Sequence, residues 1–104
     1  MQYEQVASFS GPSKRFANSE IAGIDPSLVG VYVVYELVKV GGKDDFRPIF
    51  WGHGTIRQGL QKALSNPCVA GQPLLQCNYI EINDPVKTLK EYDRLRKALP
   101  PKCT

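Results

Sequence analysis

The apolar and polar positions along the chain change period several times, and each change marks an element. Val31 to Leu37 is almost wholly apolar and rich in β-branched and aromatic residues. Such a run predicts a strand buried on both faces and central in its sheet. Gly41-Gly42-Lys43-Asp44-Asp45 reads as a hairpin loop, and Arg47 to Trp51 as the returning strand. Ile56, Leu60, Ala63 and Leu64 then recur at helical spacing. Thr55 stands at the cap position with Gln58 three residues on, a capping-box pattern, and Ser65-Asn66-Pro67 stops the helix. Cys68 to Gln72 reads as loop. Leu74 to Ile82 reads as a third strand with mixed faces, an edge. Asp84-Pro85 opens a last helix, with Asp as cap and Pro at the first helical position, which runs to about Leu99 before Pro100-Pro101.

Upstream, Gly11-Pro12-Ser13 predicts a turn and Lys14-Arg15-Phe16 a short strand or arm. Asn18 to Gly23 predicts a one-turn helix with a polar cap and a terminal glycine. The expected architecture is one α+β domain over residues 1–104: a small, three-stranded, mainly antiparallel sheet flanked by helices, with residues 1–15 as an N-terminal arm.

Composition narrows the function classes only slightly. The 104 residues are 42% apolar and 22% charged, with a net charge of +3. That balance suits a globular domain and is compatible with a phosphate-bearing partner without demanding one. The three cysteines, Cys68, Cys77 and Cys103, are odd in number and lack CxxC spacing. They suggest neither a disulfide framework nor a zinc site, and reduced cytosolic thiols are the plain reading. A single histidine excludes a multi-histidine metal site. The N-terminal residues lack a signal-peptide pattern, and no apolar run is long enough to span a bilayer. These points together predict a cytoplasmic protein.

Five residues stand out chemically. Glu91 falls within the apolar arc of the last helix, formed by Leu89, Tyr92, Leu95, Ala98 and Leu99. A carboxylate there is costly unless paired. It is either a metal ligand or cleft carboxylate, or a boundary residue paired with an arginine. Arg57 lies in the first turn of its helix, where the macrodipole disfavours a cation. It reads either as a phosphate contact using the free backbone N–H groups beside it, or as an exposed arginine. His53, in Trp51-Gly52-His53-Gly54, is expected in a glycine-flanked loop at a strand end, a common site position where an imidazole could move protons. Tyr32 and Tyr35 point to opposite faces of the first strand. Phosphate-loop, dinucleotide and nucleophile-elbow patterns are absent.

Taken in order, these residues resemble the GIY-YIG endonuclease superfamily. Gly30-Val31-Tyr32 resembles the first triplet and Phe50-Trp51-Gly52 the second. Arg57 is similar to the arginine of the following helix, and Glu91 to the glutamate of the last helix. Asn18 to Val29 resembles the lead-in, and Leu99-Pro100-Pro101-Lys102 the proline-containing close. The resemblance covers residues 16 to 104 and implies metal-dependent phosphodiester hydrolysis of DNA. Glu91 would ligate Mg²⁺ or Mn²⁺, Arg57 would stabilise the phosphate, and Tyr32 would serve as base or orienter of the attacking water. Phe50 departs from the pattern, because the usual tyrosine hydroxyl is missing. Arg57 also comes about three residues early, with Lys62 as a substitute further along the helix.

Two other readings stay open on the same fold. One is a non-catalytic nucleic-acid-binding module, with Tyr35 and Trp51 stacking and Arg47 and Lys62 supplying charge. The other is a protein-interaction or homodimer domain using the edge-like strand. Convergence of Lys39, Lys43, Arg47, Arg57 and Lys62 on one cleft would favour a phosphate partner, and scatter would favour a protein partner.

Overall fold

The computed structural model describes residue 9, residues 13–72 and residues 75–103. The expected Gly11-Pro12 turn, most of the N-terminal arm and Leu74 at the start of the third expected strand lie outside these. The elements run β1 (Lys14–Arg15), α1 (Asn18–Ile21), β2 (Val29–Val40), β3 (Lys43–Thr55), α2 (Ile56–Ala63), α3 (Pro67–Ala70), β4 (Gln76–Glu81) and α4 (Pro85–Ala98). The α+β expectation holds, but the sheet has four strands rather than three, in the order β1-β4-β2-β3, all antiparallel. The extra strand pairs Lys14 with Cys77 and Arg15 with Gln76. Two residues cannot display a period of two, which is why its sequence signal is only an arm. β4 is therefore covered along its first residues and is not the bare edge expected.

β2 is the central strand. Val31, Val33 and Tyr35 face one layer with Phe46, Trp51, Ile80, Leu95 and Leu99. Tyr32 and Val34 face the other with Ile21, Ile24, Ile56, Leu60 and Val69. α4 covers the first layer, and α1, α2 and α3 cover the second. The hairpin is longer than its apolar run suggests, because only Gly41 (φ 59°) and Gly42 (φ 82°) form the turn and β3 begins at Lys43. Two consecutive positive φ values match the right-handed twist of the flanking strands. The register slips once, between Val34↔Phe50 and Tyr35↔Pro48, leaving Ile49 as the extra residue of a β-bulge.

Local signals resolve unevenly. Asp84 caps α4 as expected, its side chain accepting from the Lys87 N–H at 2.9 Å. Thr55 is the cap residue of α2, but its side chain makes no cap hydrogen bond, so the expected capping box does not form. The segment after Pro67, expected as loop, is the short helix α3. Asn66 ends one helix and caps the next, accepting from the Cys68 N–H at 3.0 Å.

The cysteines correct the sequence expectation. Cys68 and Cys103 are joined by a disulfide across 35 residues, with Cα atoms 6.0 Å apart. Only Cys77 is a free thiol, and it is buried. Nothing in the spacing of two distant cysteines announces that the fold apposes them. The reduced-thiol premise behind a cytoplasmic location therefore falls. Among the described residues no helix is long and apolar enough to cross a membrane. The disulfide holds a C-terminal segment that has already bonded to the β3 edge: Lys102 N–H donates to the Pro48 carbonyl at 3.1 Å and Cys103 N–H to the Ile49 carbonyl at 2.7 Å. Pro48 fits there because an edge strand requires no outward N–H.

Reduction, or the Cys68→Ser/Cys103→Ser variant, is expected to lower stability by about 3–4 kcal/mol through the loop-closure term. The urea midpoint, read with and without a dithiol, measures this. Burial raises the Cys77 thiol from 9.0 to about 11. The folded state then holds a proton that the unfolded chain releases, so stability falls as pH rises from about 9 to 11. A Cys77→Ala variant should show a flatter alkaline arm in urea unfolding.

Candidate functional site

The candidate site is the corner where the open end of the β2–β3 hairpin passes into α2. Its geometry begins with three glycines. Gly30 lies so close to the Ile80 carbonyl of β4 that any Cβ would collide with that backbone. Gly52 stands opposite Tyr32 across the β2–β3 ladder. A Cβ on Gly52, or on Gly59 of α2, would overlap the Tyr32 ring and hydroxyl. Gly52 and Gly59 thus form a slot that the Tyr32 side chain fills, leaving it 8% exposed. The glycines of both triplets therefore have a packing explanation in this chain. Gly59 has no sequence signal of its own, since a glycine within a helix reads only as a mild weakness.

Burial, and secondarily the neighbouring Tyr92, push the Tyr32 hydroxyl above its ordinary range. Tyr32 is held as a protonated donor, which suits an orienting role better than a base. His53 lies within β3 rather than in a loop, because the ladder with β2 continues to Thr55, and it is exposed opposite Val31 on the α4 face, away from Tyr32. Its ring lies 4.5 Å from that of Tyr92, tilted by 55°. The Arg96 guanidinium sits over the other ring system of this stack, 5.8 Å from the Tyr92 centroid. Tyr92 was legible only as one apolar residue of α4. Its place beside His53 comes from packing.

Arg57 is half-buried in the first turn of α2 and lines an open cavity with Pro26, Thr55, Gln58 and Gln61. It has no ion-pair partner among the described residues. Glu91 is half-buried on α4, and its carboxylate accepts from the Nε of Arg94 at 2.7 Å and pairs with the same guanidinium's terminal nitrogen. That matches the boundary-residue alternative. Phe50 packs against the core on the α2 side.

The stacking residues are corrected outright. Tyr35 is fully buried and its hydroxyl bonds to Ser13 Oγ. Trp51 is 3% exposed and donates its indole N–H to the Leu99 carbonyl at 2.8 Å. Both are core residues, because the β2 and β3 positions facing α4 are sealed by it. Arg47 is exposed and paired with Asp45 at 3.3 Å. It lies eight residues of strand from Thr55, about 26 Å away along β3. Lys62 is exposed at the far end of α2. The four of the named cations whose side chains are described, Lys39, Arg47, Arg57 and Lys62, therefore scatter over both ends of the sheet. Among the described residues no three histidine, cysteine, aspartate or glutamate side chains converge as a metal cage.

Comparison with known proteins matches no family model, no curated protein and no solved structure.

Gly59→Ala tests the slot. An exposed helical glycine would gain up to about 1 kcal/mol from alanine. Here the change is expected to cost about 1–3 kcal/mol by overpacking. The loss should shrink in a Tyr32→Leu background, a coupling that a double-mutant cycle of unfolding free energies would read.

Proposed function

We propose that this chain is a GIY-YIG-like domain that binds the phosphodiester backbone of DNA and hydrolyses it slowly. The observation that carries the reading is the Tyr32 slot: a protonated hydroxyl packed against Gly59 of α2, the helix whose first turn carries Arg57, an arginine with no ion-pair partner among the described residues. The element order supports it, since hairpin, arginine-bearing helix, strand and glutamate-bearing helix follow one another as the resemblance requires. The guanidinium of Arg57 would hold a phosphate oxygen by charge-assisted hydrogen bonds. Tyr32 would orient the attacking water or a non-bridging oxygen, and solvent would protonate the leaving oxygen as the P–O bond breaks, because His53 lies on the α4 face of the sheet, opposite to Tyr32.

Glu91 fits a divalent cation as a single carboxylate, the sparse ligation that Mg²⁺ accepts when substrate phosphates supply further oxygens. Its pairing with Arg94 is partly exposed and of the kind worth under about 1 kcal/mol, so a cation can displace it. The metal would supply an activated water and charge neutralisation. Slow turnover follows from Phe50, which offers no hydroxyl, and from the single carboxylate.

The second reading is binding without cleavage, favoured by the same Phe50 and by the Glu91–Arg94 pair. The scatter of Lys39, Arg47, Arg57 and Lys62 favours a protein partner by the criterion set from sequence. However, the β4 edge that motivated that reading is partly covered by β1.

Supercoiled plasmid incubated with Mg²⁺ or Mn²⁺ should be nicked slowly. The nicking should vanish with chelator and in Glu91→Ala, and fall about 100-fold or more in Arg57→Ala. Plasmid that is bound but never nicked selects the second reading. Nicking that survives Glu91→Ala assigns it elsewhere.

A further inference from the structure

The charge of this molecule is not spread over it. α4 carries five of the thirteen basic residues (Lys87, Lys90, Arg94, Arg96 and Lys97) and two of the ten acidic ones, Glu91 and Asp93. The whole excess of three positive charges therefore resides in one helix, and the rest of the chain is balanced. Lys87, Lys90, Arg94 and Lys97 recur at intervals of three, four and three, so they share one stripe of the helix. All four are exposed. Thr88 and Leu95, on the opposite side, are buried against the sheet. Among the described residues Lys87, Lys90 and Lys97 have no ion-pair partner.

Helix stability does not explain the stripe. Arg96 and Lys97 in the last turn complement the macrodipole, but Lys87 lies in the first turn, where it opposes the dipole and where α4 has no acidic residue. The stripe runs ten residues, about 15 Å. Over that length one strand of a B-form duplex presents about four phosphates. An anionic lipid surface is the poorer occupant. The apolar side of α4 is already used against the sheet, and its exposed large aliphatics are only Val86 (65%) and Leu89 (48%). That leaves no continuous apolar face to enter a bilayer.

We propose that the outer face of α4 is a docking surface for the phosphate backbone of duplex DNA, with Lys87, Lys90, Arg94 and Lys97 as the contacting cations. This rests on the nucleic-acid reading above and adds to it a second, non-catalytic surface outside the Tyr32 corner. Sequence-independent contact of this kind lets a small domain hold any duplex.

The test uses the full chain and a short fluorescent DNA duplex, followed by anisotropy over about 50–200 mM salt. The Lys87→Gln/Lys90→Gln/Lys97→Gln variant should bind at least tenfold more weakly at the low-salt end. Its log–log salt slope should be shallower by about 2–3, near 0.9 per contact removed. Its thermal melt should match the wild type, since the three side chains are exposed. Wild-type binding with an unchanged slope in the variant overturns the α4 surface and leaves the nucleic-acid reading standing. Failure of the wild type to bind duplex at any salt overturns both. Capture of phosphatidylglycerol vesicles that is lost in the variant, with duplex binding intact, overturns the proposal in favour of a lipid surface.

Discussion

The whole structure depends on β2 being buried on both faces and hydrogen-bonded on both sides. Its side chains alternate between two apolar layers, and its backbone pairs with β3 on one side and β4 on the other. A one-residue slip of such a strand would exchange the two layers wholesale, turning Tyr35 to the α2 face and Tyr32 to the α4 face. Tyr35 is sealed beneath α4, whereas Tyr32 lies in a slot cut to its shape. The register therefore decides which tyrosine fills the Gly52–Gly59 slot. Gly30, which lets the β4 backbone close in, and Asn83, which bonds both polar backbone groups of Val29, hold that register at the end of the sheet nearest the site.

The site corner is a consequence of this packing and was not assembled independently. Glycine at positions 52 and 59 leaves room for one aromatic ring, and the ring in turn fixes how α2 approaches the sheet. Arg57 rides on that helix, two residues before Gly59, so its place relative to the Tyr32 hydroxyl is set by the same contact. Across the sheet, α4 brings Tyr92 to His53, and the burial of its Leu95 and Leu99 turns its basic stripe outward.

The C-terminal segment binds the two layers together. From Leu99, which packs on the α4 side, the chain crosses the β3 edge at the bulge, and Cys103 enters the opposite core. The disulfide to Cys68 fastens that crossing to α3. An edge strand that would otherwise offer unpaired backbone groups is thereby partly closed. The fastening also changes how the cysteines bear on location, because a structural disulfide persists where thiols are not kept reduced.

Much of this was legible in one dimension. The almost wholly apolar run of Val31 to Leu37 demanded a central strand, the segment from Gly41 a hairpin, Asp84-Pro85 a helix start, and the arc of Leu95 and Leu99 a packed α4. Each of these signals is local, arising from sterics, capping or periodicity within a few residues. The sequence by itself also determined that Phe50 carries no hydroxyl and that the net charge is +3. What only the tertiary structure decided involves residues far apart in the chain: the pairing of β1 with β4, the Cys68–Cys103 bridge, the Gly52–Gly59 slot for Tyr32, the meeting of His53 with Tyr92, and the burial of Trp51 and Tyr35. Partner choice across such separations depends on which surfaces the folded sheet brings into contact. No short-range pattern encodes that, because the same aromatic or glycine can satisfy its local preferences in many environments and is assigned one only when the core closes around it.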